Sequence, residues 1–319
     1  MGFEHLSTNF EPNKTALVIV CGPTGIGKTS VAIEIAAAEN GEVIGADSMQ
    51  IYRHMTIGTA KPTTAEQARV PHHMIDVVDP DEHFDAAKFA DMAGGIIASL
   101  AARGIFPVVA GGTGLYIKTL TRGIFAIQAG DPQIRADLKA ESEEMGMSAL
   151  YRRLEKIDSE TAARVHPNDT YRILRALEVH AATGRTMSSL QAEHAFAEDK
   201  YNCLKIGLTM ARDKLYDRIN RRVDMMIAAG LEAEVRGLLD RGYAPDLKSM
   251  QSLGYRHMAA YLEGDLDWDA MLATLKRDTR RYAKRQFTWF RADSEVRWFE
   301  TEETDEILAL VRDFREKIT

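Results

Sequence analysis

Three short stretches hold residues whose types and spacing suit phosphate chemistry. The first, Gly22-Pro23-Thr24-Gly25-Ile26-Gly27-Lys28-Thr29, fits G-x-x-x-x-G-K-[ST], with Gly22, Gly27, Lys28 and Thr29 at the fixed positions. The N–H groups of such a loop, with the N-terminus of the next helix, make an anion site. Lys28 adds a positive charge, and Thr29 offers a hydroxyl to a metal ion. The pattern selects a polyphosphate without saying which one, or what is transferred. The second stretch is Asp47-Ser48, at the end of the run EVIGA (residues 42–46). An acid at the carboxyl end of a strand in an α/β sheet sits where ligands bind. Asp and Ser are also good helix caps, and the neighbouring phosphate loop tips the balance toward a ligand role. The third is Gly111-Gly112-Thr113-Gly114, where glycines admit a close ligand and Thr113 projects toward it. A plain strand-to-helix turn is the alternative.

These stretches need a frame that brings them to one edge. Residues 16–21, 42–46, 105–110, 203–209 and 296–299 read as strands, with 74–78 as a further short one. Helical spacing covers 30–39, 84–102, 212–229 and 304–317. From 131 to about 200 strand signals vanish, and 132–144, 148–156, 169–183 and 188–194 read as helices. The expected fold is α/β: a P-loop NTPase-like parallel sheet core with an inserted helical domain. The expected divisions are 1–123 for the first part of the core, 124–202 for the insertion and 203–319 for the rest. Residues 57–62 form a loop by their Gly and Pro. His72 and His73 lack a third ligand nearby and read as structural.

Composition narrows the classes. The chain has 319 residues, 45% hydrophobic and 27% charged, as in an ordinary globular protein. No apolar run approaches the ~20 residues of a membrane helix, and the polar first residues do not read as a signal peptide. Cys21 and Cys203 are the only cysteines; this excludes a disulfide framework or a cysteine-rich zinc module and suits a cytoplasmic protein. The net charge of −7 conceals a basic segment. Residues 276–291 (KRDTRRYAKRQFTWFR) carry seven basic side chains against Asp278, with Tyr282, Phe287, Trp289 and Phe290 interleaved. Such a segment serves either as an amphipathic helix or as a contact for a phosphate backbone with stacked bases.

Most kinases of the P-loop class end a core strand in a metal-binding Asp, whereas the 105–110 strand ends in Gly111-Gly112-Thr113. Taken together, GPTGIGKT, ADSMQIYRHMTIGTAKP, PHHMIDVVDP, VVAGGTGLYIK, HPNDTYRILRALEV, SLGYRHM and AKRQFTWFR resemble the bacterial tRNA dimethylallyltransferases from about residue 16 to 299. The resemblance implies transfer of a dimethylallyl group from dimethylallyl diphosphate to N6 of the adenosine 3′-adjacent to the anticodon. It implies that the P-loop, with Lys28 and Arg222, holds the donor's diphosphate and that Thr29 lies near Mg²⁺. Asp47 matches the acid that takes or orients a proton of the adenine amino group. Thr113 matches the threonine that hydrogen-bonds the oxygen linking the allylic carbon to phosphorus. Ser48, Met49 and Gln50, Arg135, Tyr171-Arg172-Ile173-Leu174-Arg175, Gln251-Ser252-Leu253-Gly254-Tyr255-Arg256, and Lys284, Arg285, Gln286 and Arg291 match tRNA-contacting positions, as do Asp47 and Thr113. A monomer acting on a tRNA anticodon arm is expected. The alternatives are an adenylate isopentenyltransferase, a small-metabolite kinase and a non-catalytic RNA-binding module. The helical insertion and basic segment favour RNA, the missing strand-end acid disfavours the kinase, and a binding module has no use for Lys28 and Asp47.

Overall fold

Leu17, Val18, Ile19 and Val20 are fully buried, as the central strand of a parallel sheet covered on both faces requires. The computed structural model describes residue 11 and residues 13–123, 132–194 and 199–318. In chain order come β1 (Ala16–Cys21), α1 (Lys28–Ala38), β2 (Gly41–Gly45), α2 (Thr64–Arg69), β3 (His72–His73), α3 (Ala86–Ala102), β4 (Phe106–Gly111) and α4 (Gly114–Arg122). Then follow α5 (Pro132–Met145), α6 (Met147–Ile157), α7 (Ser159–Arg164), α8 (Thr170–Thr183) and α9 (Met187–His194). The chain continues with β5 (Asn202–Thr209), α10 (Arg212–Ala228), α11 (Leu231–Asp240), α12 (Tyr255–Leu262), α13 (Trp268–Arg291), β6 (Val296–Glu300) and α14 (Thr304–Glu316).

The six strands form one sheet in the order β3-β2-β4-β1-β5-β6, every pair parallel. Alternate β1 residues face opposite cores, as the two-residue strand period demands. Leu17, Ile19 and Cys21 join Phe89, Tyr116, Met250 and Tyr255. Val18 and Val20 join Ile35, Ile219 and Phe314. Full burial of each such side chain contributes roughly 1.5–3 kcal/mol before conformational entropy is counted.

The chain forms two compact units, one of Met1–Thr121 with Asp199–Thr319 and one of Arg122–Glu198. The second has its own core, which includes Leu138, Leu150, Leu154, Ile173 and Leu177. Inside it Asp158 accepts from Thr161 N at 3.0 Å and Ser188 N at 2.9 Å, joining the starts of α7 and α9.

Two readings from the pattern need correction. The 74–78 strand does not form, because Met74 and Asp76 take φ of 62° and 54° and turn the chain; the ladder with β2 stops at His73, and beyond it only an isolated bridge joins Val78 to Tyr52. The basic segment is the last two thirds of a longer helix, α13, whose N-cap Asp267 accepts from Ala270 N at 2.7 Å. The pattern also gives no sign of the short helix α7 or of α11. The expected helix start at Asp131 and the boundary glycine Gly130 lie outside the described residues.

Candidate active site

The carboxyl ends of β1, β2 and β4 bring the three chemical stretches together. Cys21 stands beside Gly111, and Gly45 beside Ala110, in the strand register. Gly22 therefore begins its loop next to the Gly111–Thr113 turn. A β-carbon on Gly111 would lie 2.0 Å from Ala46 O, so only glycine lets the β4 end pass that close to the β2 end. Ala46 O in turn accepts from Thr113 N at 3.2 Å.

Asp47 and Thr113 are each held by short polar contacts. Asp47 Oδ1 accepts from Met49 N at 2.9 Å and from Gln50 N at 3.4 Å. No helix begins here, so Asp47 is not a helix cap; its Oδ1 instead closes a turn over residues 48–50, and Oδ2 takes no hydrogen bond among the described residues. Thr113 Oγ1 accepts from Ser48 N at 3.0 Å and lies 3.4 Å from Ser48 Oγ. The residues after β2 and after β4 form one rim.

Positive charge converges on that rim. Lys28, first residue of α1, donates to Pro23 O at 2.8 Å. Burial pushes its ammonium down to about 8; Asp47 opposes the shift and Arg222 adds to it. Arg222, on α10, is also lowered by burial and supported by the charge of Asp47. Arg218 lies one turn earlier, where a β-carbon on Gly27 would be 3.2 Å from its Nη2. The sequence signal for Arg218 is its spacing of four from Arg222, which puts both on one face. Tyr282 of α13 also borders the site: burial first, then the charge of Asp47, raises its hydroxyl. Its place in the chain carries no signal beyond the aromatic interleaving. Lys28, Arg218 and Arg222 crowded around the single carboxylate of Asp47 leave net positive charge, the electrostatic mark of an anion site.

The side chain of Gln286 turns inward from α13. It is buried and spans the site from within, accepting from Thr24 N at 2.8 Å and donating to Gly112 O at 2.9 Å. This links the phosphate loop to the Thr113 turn. Ile173 and Tyr255 are likewise fully buried, and their side chains pack in the cores of their own units. The Ser252 hydroxyl is enclosed without a hydrogen-bond partner, and Gly254 is buried.

The other expected contacts are more accessible. Lys284, Arg285 and Arg291 are exposed on α13, as is Trp289. The rings of Tyr282 and Phe287 lie 5.6 Å and 5.1 Å from the guanidinium carbons of Arg285 and Arg291. Gln251 and Arg256 are exposed and Leu253 is half-buried; Arg256 pairs with Asp278 at 3.0 Å. In the Arg122–Glu198 unit, Tyr171 and Arg172 are exposed and Leu174 and Arg175 half-buried. Arg135 lies 5.8 Å from the Tyr171 ring centre. Arg172 pairs with Asp169, and Arg175 with Glu178, each at 3.1 Å.

No group of three or more His, Cys, Asp or Glu among the described residues could hold a metal ion alone. Thr29 is half-buried, next to Lys28 at the start of α1. A hydroxyl there fits a Mg²⁺ ion that keeps several waters and takes its remaining oxygens from a bound diphosphate. Among the described residues, no helix is long and apolar enough to cross a membrane.

Known proteins with this arrangement agree with one another. The IPP transferase family matches residues 50–293, and the isopentenyl transferase family residues 15–77. A tRNA dimethylallyltransferase of Desulfosudis oleivorans is 53% identical over 292 residues, 92% of this chain and 93% of the relative. The full-length tRNA isopentenylpyrophosphate transferase of Bacillus halodurans superposes with a TM-score of 0.72 at 43% identity, covering 96% of this chain and 98% of that one. A eukaryotic dimethylallyltransferase acting on tRNA superposes with a TM-score of 0.82 at 27% identity, covering 96% and 80%.

Proposed function

Because the chain belongs to the tRNA dimethylallyltransferase (IPP transferase) family, we infer that it transfers a dimethylallyl group from dimethylallyl diphosphate to N6 of the adenosine 3′-adjacent to the anticodon in tRNA. The observation that carries this reading is the rim where Thr113 Oγ1 accepts from Ser48 N at 3.0 Å, between Asp47 and the cationic phosphate loop. Such a rim suits a reaction that needs a proton acceptor and an anion site side by side.

In the reaction N6 attacks the allylic carbon, and the carbon–oxygen bond to the diphosphate breaks with its electron pair leaving on oxygen. Asp47 Oδ2 takes the N6 proton, which a weakly nucleophilic amine must lose as it attacks. Thr113 donates to the bridging oxygen as charge grows there. Lys28, Arg222, Arg218 and the loop amides hold the diphosphate, and preorganised donors of this kind stabilise a leaving group without reorganisation. Thr29 would hold Mg²⁺, which supplies further neutralisation of the diphosphate when bound. The target base is stacked in the anticodon arm and must be flipped out to reach Asp47. Lys284, Arg285, Arg291 and Trp289, with Tyr171, Arg172 and Arg135 of the helical insertion, supply cationic and aromatic contacts for that arm. Ser48, Met49 and Gln50 flank the flipped base.

The test is transfer of label from dimethylallyl diphosphate to an anticodon stem-loop by purified protein with Mg²⁺, with release of pyrophosphate. A requirement for ATP, with no prenylated adenosine formed, defeats the reading.

A further inference from the structure

The loop at 56–61 closes around a carboxylate. Three successive backbone groups, Thr56 N, Ile57 N and Gly58 N, donate to Glu234 of α11 at 2.9, 2.8 and 3.1 Å. The Tyr255 hydroxyl donates to the same carboxylate at 2.5 Å. Successive N–H groups arranged this way make an anion-binding nest, and here the anion belongs to the chain itself. The Tyr255 ring presses on the loop from beneath: a β-carbon on Gly58 would lie 2.5 Å from its Cε2, so nothing larger than glycine fits.

The next residues of the loop point back to the active site. Gln50 Nε2 donates to Thr59 O at 3.2 Å and to Ala60 O at 3.1 Å. Two carbonyl partners fix which way the amide faces. Beyond them Lys61, buried, donates to Tyr52 O and to Asp76 at 2.6 Å each, pinning the far end of the loop. Gln50 N lies 3.4 Å from Asp47 Oδ1. One line of hydrogen bonds therefore runs from Glu234 through the 56–60 loop and Gln50 to Asp47.

We propose that Glu234 is a positioning residue for prenyl transfer, acting with Tyr255 through the 56–60 loop to hold Gln50 and the Asp47 turn in their reactive arrangement. The proposal rests on the reading of Asp47 as proton acceptor. The loop's own bonds, Thr59 Oγ1 to Met55 O at 2.6 Å, Ala60 N to Ile57 O at 3.0 Å and Lys61 N to Thr56 O at 3.1 Å, give it its turn, but its first three amides face a carboxylate supplied from α11. A misplacement of about 1 Å at a reacting group is enough to cost ~10²-fold in rate, so a remote anchor of this kind has kinetic weight.

The test is single-turnover transfer with saturating stem-loop and dimethylallyl diphosphate, with pyrophosphate affinity measured separately by calorimetry. Glu234→Gln keeps the size and turns an NH₂ toward donors; it should slow transfer ~10- to 100-fold and leave pyrophosphate affinity unchanged. Gln50→Ala should slow transfer as well. The double variant should be no slower than Gln50→Ala, to within about two-fold, because residues acting along one line are not additive. Multiplying effects, or a parental rate for Glu234→Gln, overturn the proposal. Should Glu234→Gln not fold, Tyr255→Phe replaces it, since it keeps the ring under Gly58 and removes only the hydroxyl donor. It too should slow transfer without multiplying the effect of Gln50→Ala, and a parental rate again overturns the proposal. A parent protein that binds pyrophosphate but transfers no prenyl group defeats the reading of Asp47, and the proposal with it.

Discussion

Asp47 uses its two oxygens differently, and that division makes its role testable. Oδ1 receives the Met49 and Gln50 amides, so Asp47→Asn keeps an acceptor for the turn while removing charge and basicity. Single-turnover prenyl transfer should fall ~10²–10⁴-fold, the range for a lost general base, with pyrophosphate and stem-loop affinities nearly constant. A near-parental rate reduces Asp47 to holding its turn. Lys28 yields a prediction of the opposite kind. Its ammonium is pushed down to about 8 from 10.5, mainly by burial. Below pH 8 the folded protein therefore carries a charge it disfavours, and the cost is relieved as pH rises from 8 toward 10.5, where the unfolded chain also loses its proton. Lys28→Met should melt higher than the parent at pH 7 without ligand, and the gap should shrink above pH 8. Added pyrophosphate should reverse the order at pH 7, because a ligand stabilises the folded state that binds it. Melting curves with and without pyrophosphate from pH 7 to 10 decide both points.

At the scale of the element, α13 does two jobs on two faces. Lys284 and Arg285 are exposed, whereas Gln286, the next residue, is buried and joins Thr24 N to Gly112 O. Replacing Lys284 and Arg285 with Ala should weaken stem-loop binding. The slope of log affinity against log salt should fall by ~1 for each phosphate no longer neutralised. Gln286→Met should leave that slope alone and slow the chemical step, since it frees the phosphate loop from the Thr113 turn. Filter binding across a salt series, beside single-turnover rates, separates the two faces. Equal salt slopes for Lys284→Ala/Arg285→Ala and the parent reduce the outer face to a solvated helix surface.

For the whole molecule, the Arg122–Glu198 unit leaves and rejoins the other unit at one point. Lys200 N donates to Thr121 O at 3.1 Å, so the two ends of the excursion are adjacent, and the excised unit has its own core. Replacing 122–198 with a short Gly/Ser linker should leave a core that melts cooperatively and binds pyrophosphate, because insertions with adjacent ends are tolerated by the domain that hosts them. Transfer to the stem-loop should fall sharply with Tyr171, Arg172 and Arg135 removed. Full turnover by the shortened protein would show that the insertion takes no part in holding RNA.

Local rules determine much of this molecule. The phosphate loop, the apolar strands and the helical insertion are legible because each depends on neighbours in sequence: a glycine pattern, a run of apolar residues, a 3.6-residue period. The 74–78 segment misleads because its apolar pattern competes with turns at Met74 and Asp76, which single positions do not announce. Asp47, Thr113, Lys28 and Arg222 stand out by their motifs, yet their convergence depends on strand order, which places the β2 and β4 ends beside the β1 loop. Gln286, Tyr255 and Ile173 look like surface residues because their motif neighbours are; which face of a helix is buried is settled by what packs against it. Glu234 carries no sequence signal at all. The loop amides it binds lie 176–178 residues away in the chain, and a carboxylate on a helix reads as solvated until the loop that surrounds it is folded into place.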